Sequence, residues 1–251
     1  MAKATSNEMC ALHQVCLALL MGKEQPAKYC RILHCQDGDI IPRAVVPGAD
    51  LGLMQETDVK FLNTWILDKC AVVEYEEIST AGYLMALKPA AGWTVISLVF
   101  ENLSGDLSKI TPTDMAEPIS ACWDRYCVAN RFCDTTAMAD VFHSSSRLMF
   151  VDDKSNIQEF SSQEFCTLVK DRYQQPPHDK YAAYKSNHQI TSERDTLQGC
   201  SMISPNLALV RLKVGHPPCL WSDLLVCAKL TDDKWWIVAK SSDHGEFIPS
   251  K

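Results

Sequence analysis

Two stretches of this chain are apolar at every position and end in a lysine: Leu84-Met85-Ala86-Leu87-Lys88 and Leu225-Val226-Cys227-Ala228-Lys229. After a short polar loop each is followed by a Trp-led apolar run, Trp93-Thr94-Val95-Ile96 and Trp235-Trp236-Ile237-Val238. Short apolar runs bounded by turn residues read as strands. In the second block Leu224, Val226 and Ala228 alternate with Trp221, Leu225 and Cys227; in the first, Tyr83 and Met85 alternate with Leu84 and Ala86. A sheet with one wet face would carry polar residues at every second position. Both faces are therefore expected to be covered, one by helices and the other by a second sheet.

The blocks are one of three echoes that run through the chain in the same order. Upstream, Met21-Gly22-Lys23 followed by Ile32-Leu33-His34 aligns without a gap on Asn130-Arg131-Phe132 followed by Val141-Phe142-His143. Between them, Thr57-Asp58-Val59-Lys60-Phe61 answers Ser161-Ser162-Gln163-Glu164-Phe165. A duplicated domain is the economical explanation. The polar segment 101–117, with Gly105 and Pro112, is the natural link. Residues 1–104 are thus expected to form one domain, 105–117 a linker and 118–251 a second domain.

Each half reads helix, helix, strand or hairpin, helix, strands. In the second, Ile119 to Phe132 and Thr135 to Phe142 are expected to be helical. Arg147 to Phe160 should hold two strands around a turn at Asp152-Asp153. Ser161-x-x-Glu164 is a capping box opening a helix to about Tyr173. Tyr181 to Ser192, Leu207 to Val214 and Pro218 to Leu230 are candidate strands, and Trp235 to Ser241 closes the sheet. The first half passes almost directly from its third helix into Ala71-Val72-Val73-Glu74-Tyr75, so it is expected to be one strand shorter. Cys10 to Met21 resembles a signal-peptide core, but His13 and Gln14 interrupt it and no small-residue cleavage site follows. Its alignment with the internal helix at Ile119 to Ala129 makes it the first helix of the first domain.

Composition narrows the function classes. Of 251 residues, 47% are hydrophobic and 22% charged, which suits two ordinary globular domains. The formal net charge of −7 argues against a nucleic-acid partner, which would call for an excess of Lys and Arg. No run approaches the roughly 20 apolar residues of a membrane span. The 12 cysteines form no C-x-x-C pair and sit mostly in apolar runs, as buried reduced thiols of a cytoplasmic protein would.

Three helices on a strongly curved antiparallel sheet, with two sheets back to back, resemble the nuclear transport factor 2-like superfamily. The likeness is to its group named Putative lumazine-binding and to SnoaL-like and ketosteroid-isomerase-like proteins. In the second half it rests on Val141-Phe142-His143, Phe160 to Phe165, Ser222-Asp223-Leu224-Leu225 through Lys229, and Trp235-Trp236-Ile237-Val238-Ala239-Lys240. It implies an α+β fold of two cone-shaped domains packed sheet to sheet as an intramolecular pseudo-dimer. It also implies a pocket for a small apolar or aromatic molecule, with no cofactor and no metal. The first half has Gly82 where the second has Asp223, and Leu98 where it has Lys240, so the pocket is expected in the second half.

Asp223 and Lys240, on adjacent strands, are the leading pair. They read either as a polar pair at the pocket, with Asp223 as general base, or as a marginal cross-strand ion pair of about 0.2–1 kcal/mol. His143, placed at the end of the second helix, reads as a proton shuttle or a helix-end ligand. His188 is a second candidate base, or else a residue on the outer face of the strand Lys185 to Ile190. Tyr126 and His143 are candidate donors to a developing oxyanion. Trp123 and Tyr126, three apart on one helix, either line the pocket, with Trp221 and Trp236 opposite, and stack on a flat heterocycle, or form plain core. The functional expectation is binding of a small apolar or heterocyclic metabolite, with isomerase or dehydratase chemistry as its enzymatic version. The rival is a non-catalytic scaffold for a protein partner.

Overall fold

The computed structural model describes residues 5–20, 30–36, 39–43, 59–77, 79–103, 110–111, 113–132, 134–174, 195–216 and 219–247. The first half contains helix α1 (Ser6–Leu20) and strands β1 (Arg31–Gln36), β2 (Asp39–Arg43), β3 (Lys60–Ile66), β4 (Cys70–Glu76), β5 (Thr80–Leu87) and β6 (Thr94–Asn102). The second opens on one continuous helix, 116–132: α2 (Ala116–Ser120), a π-helical stretch (Ala121–Val128) and α3 (Ala129–Phe132). Then follow α4 (Thr135–Ala139), β7 (Phe142–Val151), β8 (Ile157–Ser161), α5 (Ser162–Gln174), β9 (Thr196–Ser204), β10 (Leu207–His216), β11 (Cys219–Lys229) and β12 (Trp235–Phe247).

The strands form two six-stranded sheets of identical topology, β2-β1-β6-β5-β4-β3 and β8-β7-β12-β11-β10-β9. Each is mixed rather than wholly antiparallel, because β1 joins β6, and β7 joins β12, in parallel. The first half is therefore not a strand short. Lys60 and Phe61, expected to open a helix like Glu164-Phe165, instead begin β3, which holds the edge position that β9 holds in the other sheet. Thr57 and Asp58, and the candidate strand Tyr181 to Ser192, lie outside the described residues.

The two-faced apolar strands do what their pattern requires. In β5, Ala81, Tyr83, Met85 and Leu87 join a core shared by both sheets, while Leu84 and Ala86 pack under α1. In β11, Leu224, Val226 and Ala228 enter the shared core, while Leu225 and Cys227 pack under the helices of the second half. The sheets thus lie face to face. Polar contacts cross the seam: the Tyr83 hydroxyl donates to the Ser201 carbonyl (3.0 Å), and the Asp68 amide donates to Asp243 (3.0 Å). Ser201 Oγ donates to Glu74 (3.0 Å), and Arg31 pairs with Glu159 (3.2 Å).

Register identifies the equivalent residues of the two sheets. A bulge in β6 leaves Ile96 as the extra residue between the pairs Met85–Ser97 and Ala86–Val95. The same bulge in β12 leaves Val238 between Val226–Ala239 and Cys227–Ile237. Gly82 faces Phe100 and Asp223 faces Ser242, so Gly82 matches Asp223 and Leu98 matches Lys240. The two histidines do not match. His34 pairs with Phe100, whereas the residue at that place in the second sheet, opposite Ser242, is Phe150.

The capping box is present, with the Ser161 amide and hydroxyl both donating to Glu164 at 2.8 Å and the Glu164 amide donating back to Ser161 at 3.2 Å. The helix expected to reach Phe142 stops at Ala139, and Phe142 opens β7. The serine triplet 144–146 favours this, because serine side chains compete with helical hydrogen bonds. No helix among the described residues is long and apolar enough to cross a membrane.

Candidate functional site

Between the second sheet and its helices lies a pocket of about 510 Å³, measured out to its open mouth. Phe150, Phe160, Phe165, Leu168, Val214 and Trp221 form its apolar walls. The polar end is Tyr126, Asn130, Asp223, Lys240 and Ser242. Strand alternation and one helix position these groups. Asp223 and Ser242 are directly opposite on β11 and β12, and Lys240 precedes Ser242 by two residues, on the same face.

These four side chains close a network. Asp223 Oδ1 accepts from Lys240 Nζ (2.9 Å) and from Ser242 Oγ (2.7 Å), and Oδ2 accepts from the Tyr126 hydroxyl (2.7 Å). Lys240 Nζ also donates to Ser242 Oγ. Asp223 is 1% exposed and Lys240 6%, so the pair is a buried ion pair and not one at the sheet margin. Burying two charges is tolerable only when hydrogen bonds satisfy the remaining lone pairs and protons, which Tyr126 and Ser242 do. The ammonium also lies 5.7 Å from the Tyr126 ring centre and 5.5 Å from that of Phe165, within cation–π range. Burial, reinforced by the Asp223 charge, pushes the Tyr126 phenol well above its usual range, so it remains a donor.

Tyr126 is brought to the pocket by the π-helical stretch, which nothing in the sequence reading signalled. The wider π turn rotates the chain less per residue than an α turn does, so residues three apart fall further short of a full turn and lie on more divergent faces. Trp123 is accordingly half-buried among the helices and is not a wall of the pocket, against expectation.

Trp236 also points elsewhere. Under strict alternation it would share a face with Lys240, but the bulge at Val238 reverses the parity. Trp235 and Ile237 pack beneath the helices, while Trp236 turns to the margin of the core between the sheets, with Lys234 Nζ 4.0 Å above its ring. His143 is the second residue of β7, not a helix end. Its ring meets Trp236 edge-on at 5.9 Å, and its Nδ1 accepts from the Ser145 amide (3.2 Å), away from the pocket. Burial holds its pKa below the usual histidine value, partly offset by Asp39 and Asp232. His188 lies outside the described residues. Trp221 lines the pocket, with Phe150 edge-on at 5.2 Å.

Ser242 and Asn130 escaped the sequence reading. Ser242 has a signal in hindsight, since it sits two residues beyond Lys240. Asn130, the second residue of α3, has none. Among the described residues no cluster of His, Cys, Asp or Glu is placed to hold a metal.

Comparison with known proteins places this site inside a recognised sequence family. The family model described as "Putative lumazine-binding" matches residues 114–242, which span the pocket-forming helices and strands. No curated protein matches the chain. Similar solved structures include an NTF-2 like protein of unknown function from Silicibacter pomeroyi, 14% identical, covering 54% of this chain and 100% of its own, with a TM-score of 0.42. An NTF2-like protein of unknown function from Shewanella baltica is 15% identical over 57% of this chain and 100% of its own, TM-score 0.42. A ketosteroid isomerase-like protein from Erwinia carotovora atroseptica is 14% identical over 54% of this chain and 99% of its own, TM-score 0.37.

Proposed function

Since the chain belongs to the family described as "Putative lumazine-binding" and consists of two nuclear transport factor 2-like domains, we propose that its second half binds one small apolar or heterocyclic molecule in the pocket between Tyr126 and Trp221. The observation that carries this reading is the open, aromatic-walled pocket ending in a charge-balanced polar group. Asp223 and Lys240 neutralise each other, so the pocket suits an uncharged ligand, flat enough to lie along Phe150, Phe160 and Trp221. The ligand-binding set is Trp221, Phe165, Tyr126, Lys240 and Ser242. The first half, residues 1–104, is in this reading a built-in dimerisation partner joined by the linker 105–117. At the positions of Asp223, Lys240 and Ser242 it has Gly82, Leu98 and Phe100. The buried thiols support a reducing, cytoplasmic setting.

Native mass spectrometry of the full chain purified from its own cells tests the proposal. A retained mass of a few hundred daltons, lost on denaturation and lost from Trp221→Ala, supports it. A ligand retained undiminished by Trp221→Ala and Phe165→Arg would place binding elsewhere.

The enzymatic version, a cofactor-free isomerase or dehydratase, is supported by the Tyr126–Asp223 hydrogen bond in apolar surroundings. Asp223 would be the base and Tyr126 the donor to a developing oxyanion. Three donors already converge on Asp223, so proton abstraction requires one of them to move aside. Turnover of a bound ligand that is lost in Asp223→Asn while binding is retained supports this version; turnover unchanged by Asp223→Asn removes Asp223 from it. The rival scaffold reading gains support only if the pocket stays empty in every such preparation.

A further inference from the structure

Between the two sheets lies a second, narrower slot of about 240 Å³ including its mouth, lined by Arg31, Leu33, Ser97, Ser145, Arg147 and Met149 among others. It sits on the internal pseudo-twofold axis. Arg31 pairs with Ser97 on β6, and Arg147 pairs with Ala239 on β12. Ser97 and Ala239 are themselves equivalent, each being the residue after the bulge. Arg31 and Arg147 are therefore symmetry mates contributed by the two halves.

Both guanidiniums converge on a single carboxylate oxygen. Glu159 Oε1 lies 3.2 Å from Arg31 Nη2 and 3.6 Å from Arg147 Nε. Glu159 faces Met149 across β7 and β8; at the equivalent place, facing Leu33 across β1 and β2, the first half has Pro42. The symmetric position thus supplies no second acid, and among the described residues Glu159 is the one carboxylate within ion-pair distance of both arginines. Each guanidinium carries five N–H donors, and the contacts to Glu159, with that of Arg147 Nη1 to the Ser146 carbonyl (2.8 Å), engage a minority of them. The slot also holds Ser97, 3% exposed, whose hydroxyl has no hydrogen-bond partner. A buried hydroxyl left without a partner costs free energy unless something in the slot satisfies it.

We propose that this seam is a binding site for a small oxyanion, a phosphoryl or carboxylate group, held between Arg31 and Arg147 with Ser97 donating from below. The planar guanidinium fork matches the geometry of such groups. Arg31 and Arg147 are partly exposed, so the site opens to solvent while Ser97 at its floor is buried. Occupancy clamps β1 to β7 and so ties one half of the molecule to the other.

Thermal unfolding of the full chain in sodium phosphate, sodium acetate or sodium chloride at equal ionic strength tests this. Phosphate or acetate, at a concentration well above its dissociation constant, is expected to raise the midpoint by about 3 °C over chloride. Protection by phosphate alone identifies a phosphoryl ligand, and protection by acetate alone a carboxylate. The protection should vanish in Arg31→Gln and in Arg147→Gln. Glu159→Gln, which keeps both arginines and removes the competing carboxylate, should tighten binding about fivefold. Equal midpoints in all three salts for both the wild type and Glu159→Gln would overturn the proposal, as would protection that persists in both arginine variants.

Discussion

Gly82 and Asp223 occupy the same place in the two sheets, each opposite the fourth residue past the bulge of its closing strand, Phe100 or Ser242. One is a buried ion-paired carboxylate. The other leaves no room even for a methyl group, because a Cβ at Gly82 would lie 2.2 Å from the Val99 carbonyl oxygen. The two sheets thus share one topology and one register and carry opposite residue types at this place.

Gly82→Ala should therefore destabilise the first half by about 2–3 kcal/mol, since the clash is with backbone and nothing flexible can yield. Gly92→Ala is the comparison. It meets open space but has φ +109°, so only backbone strain of about 1 kcal/mol is expected. Urea unfolding of the two variants checks the order.

Lys240→Met should cost about 3–5 kcal/mol, because it strands the Asp223 charge in a buried site. Combining it with Asp223→Asn should recover a large part of that loss, giving a coupling energy well above that of an exposed pair. A double-mutant cycle measured by denaturant unfolding checks this. Additive losses would mean that the two groups do not interact as the geometry requires.

Among the described residues the seam between the sheets carries the buried carboxylates Glu74, Glu101 and Asp243, and burial pushes the pKa of each up. A folded-state pKa above the unfolded one contributes stability that is fully present below about pH 4 and is lost as pH rises through the raised values. Glu74→Gln, which keeps acceptors for Ser201 and Asn63, should then be close to wild type near pH 4 and more stable by about 1 kcal/mol near pH 8. Unfolding curves at both pH values give the sign directly.

Thiol reactivity should follow burial. Burial pushes the Cys16, Cys30 and Cys35 thiols up to about 12, and burial with the neighbouring Cys227 thiol at 3.3 Å holds Cys122 well above the usual thiol range. Cys10 is exposed. Brief alkylation of native protein should label Cys10 and leave these five intact, while denatured protein labels all six; peptide mass mapping reads the pattern.

The sequence by itself determined the layers. Continuous apolar runs such as Leu224 to Ala228 can be buried only with both faces covered, and that demand is met locally, residue by residue, by period-two alternation. The capping box at Ser161 and Glu164, the turn at Asp152-Asp153 and the likeness of the two halves were legible for the same reason. So was the pairing of Asp223 with Lys240, with Gly82 and Leu98 as their counterparts.

Tertiary structure decided what depends on partners distant in sequence. A bulge is a mismatch between two strands, so the extra residue at Val238 has no signature within β12 alone, yet it turns Trp236 away from the pocket and Lys240 toward it. Thr196 to Ser204 becomes β9 because β10 offers it an edge, and Phe142 becomes strand because β12 pairs with it. The π-helical stretch that delivers Tyr126 to Asp223, and the meeting of Arg31 with Arg147 on one glutamate, join residues on separate elements. Local pattern carries the faces of strands; closure of a site is set by packing between elements, which no single segment encodes.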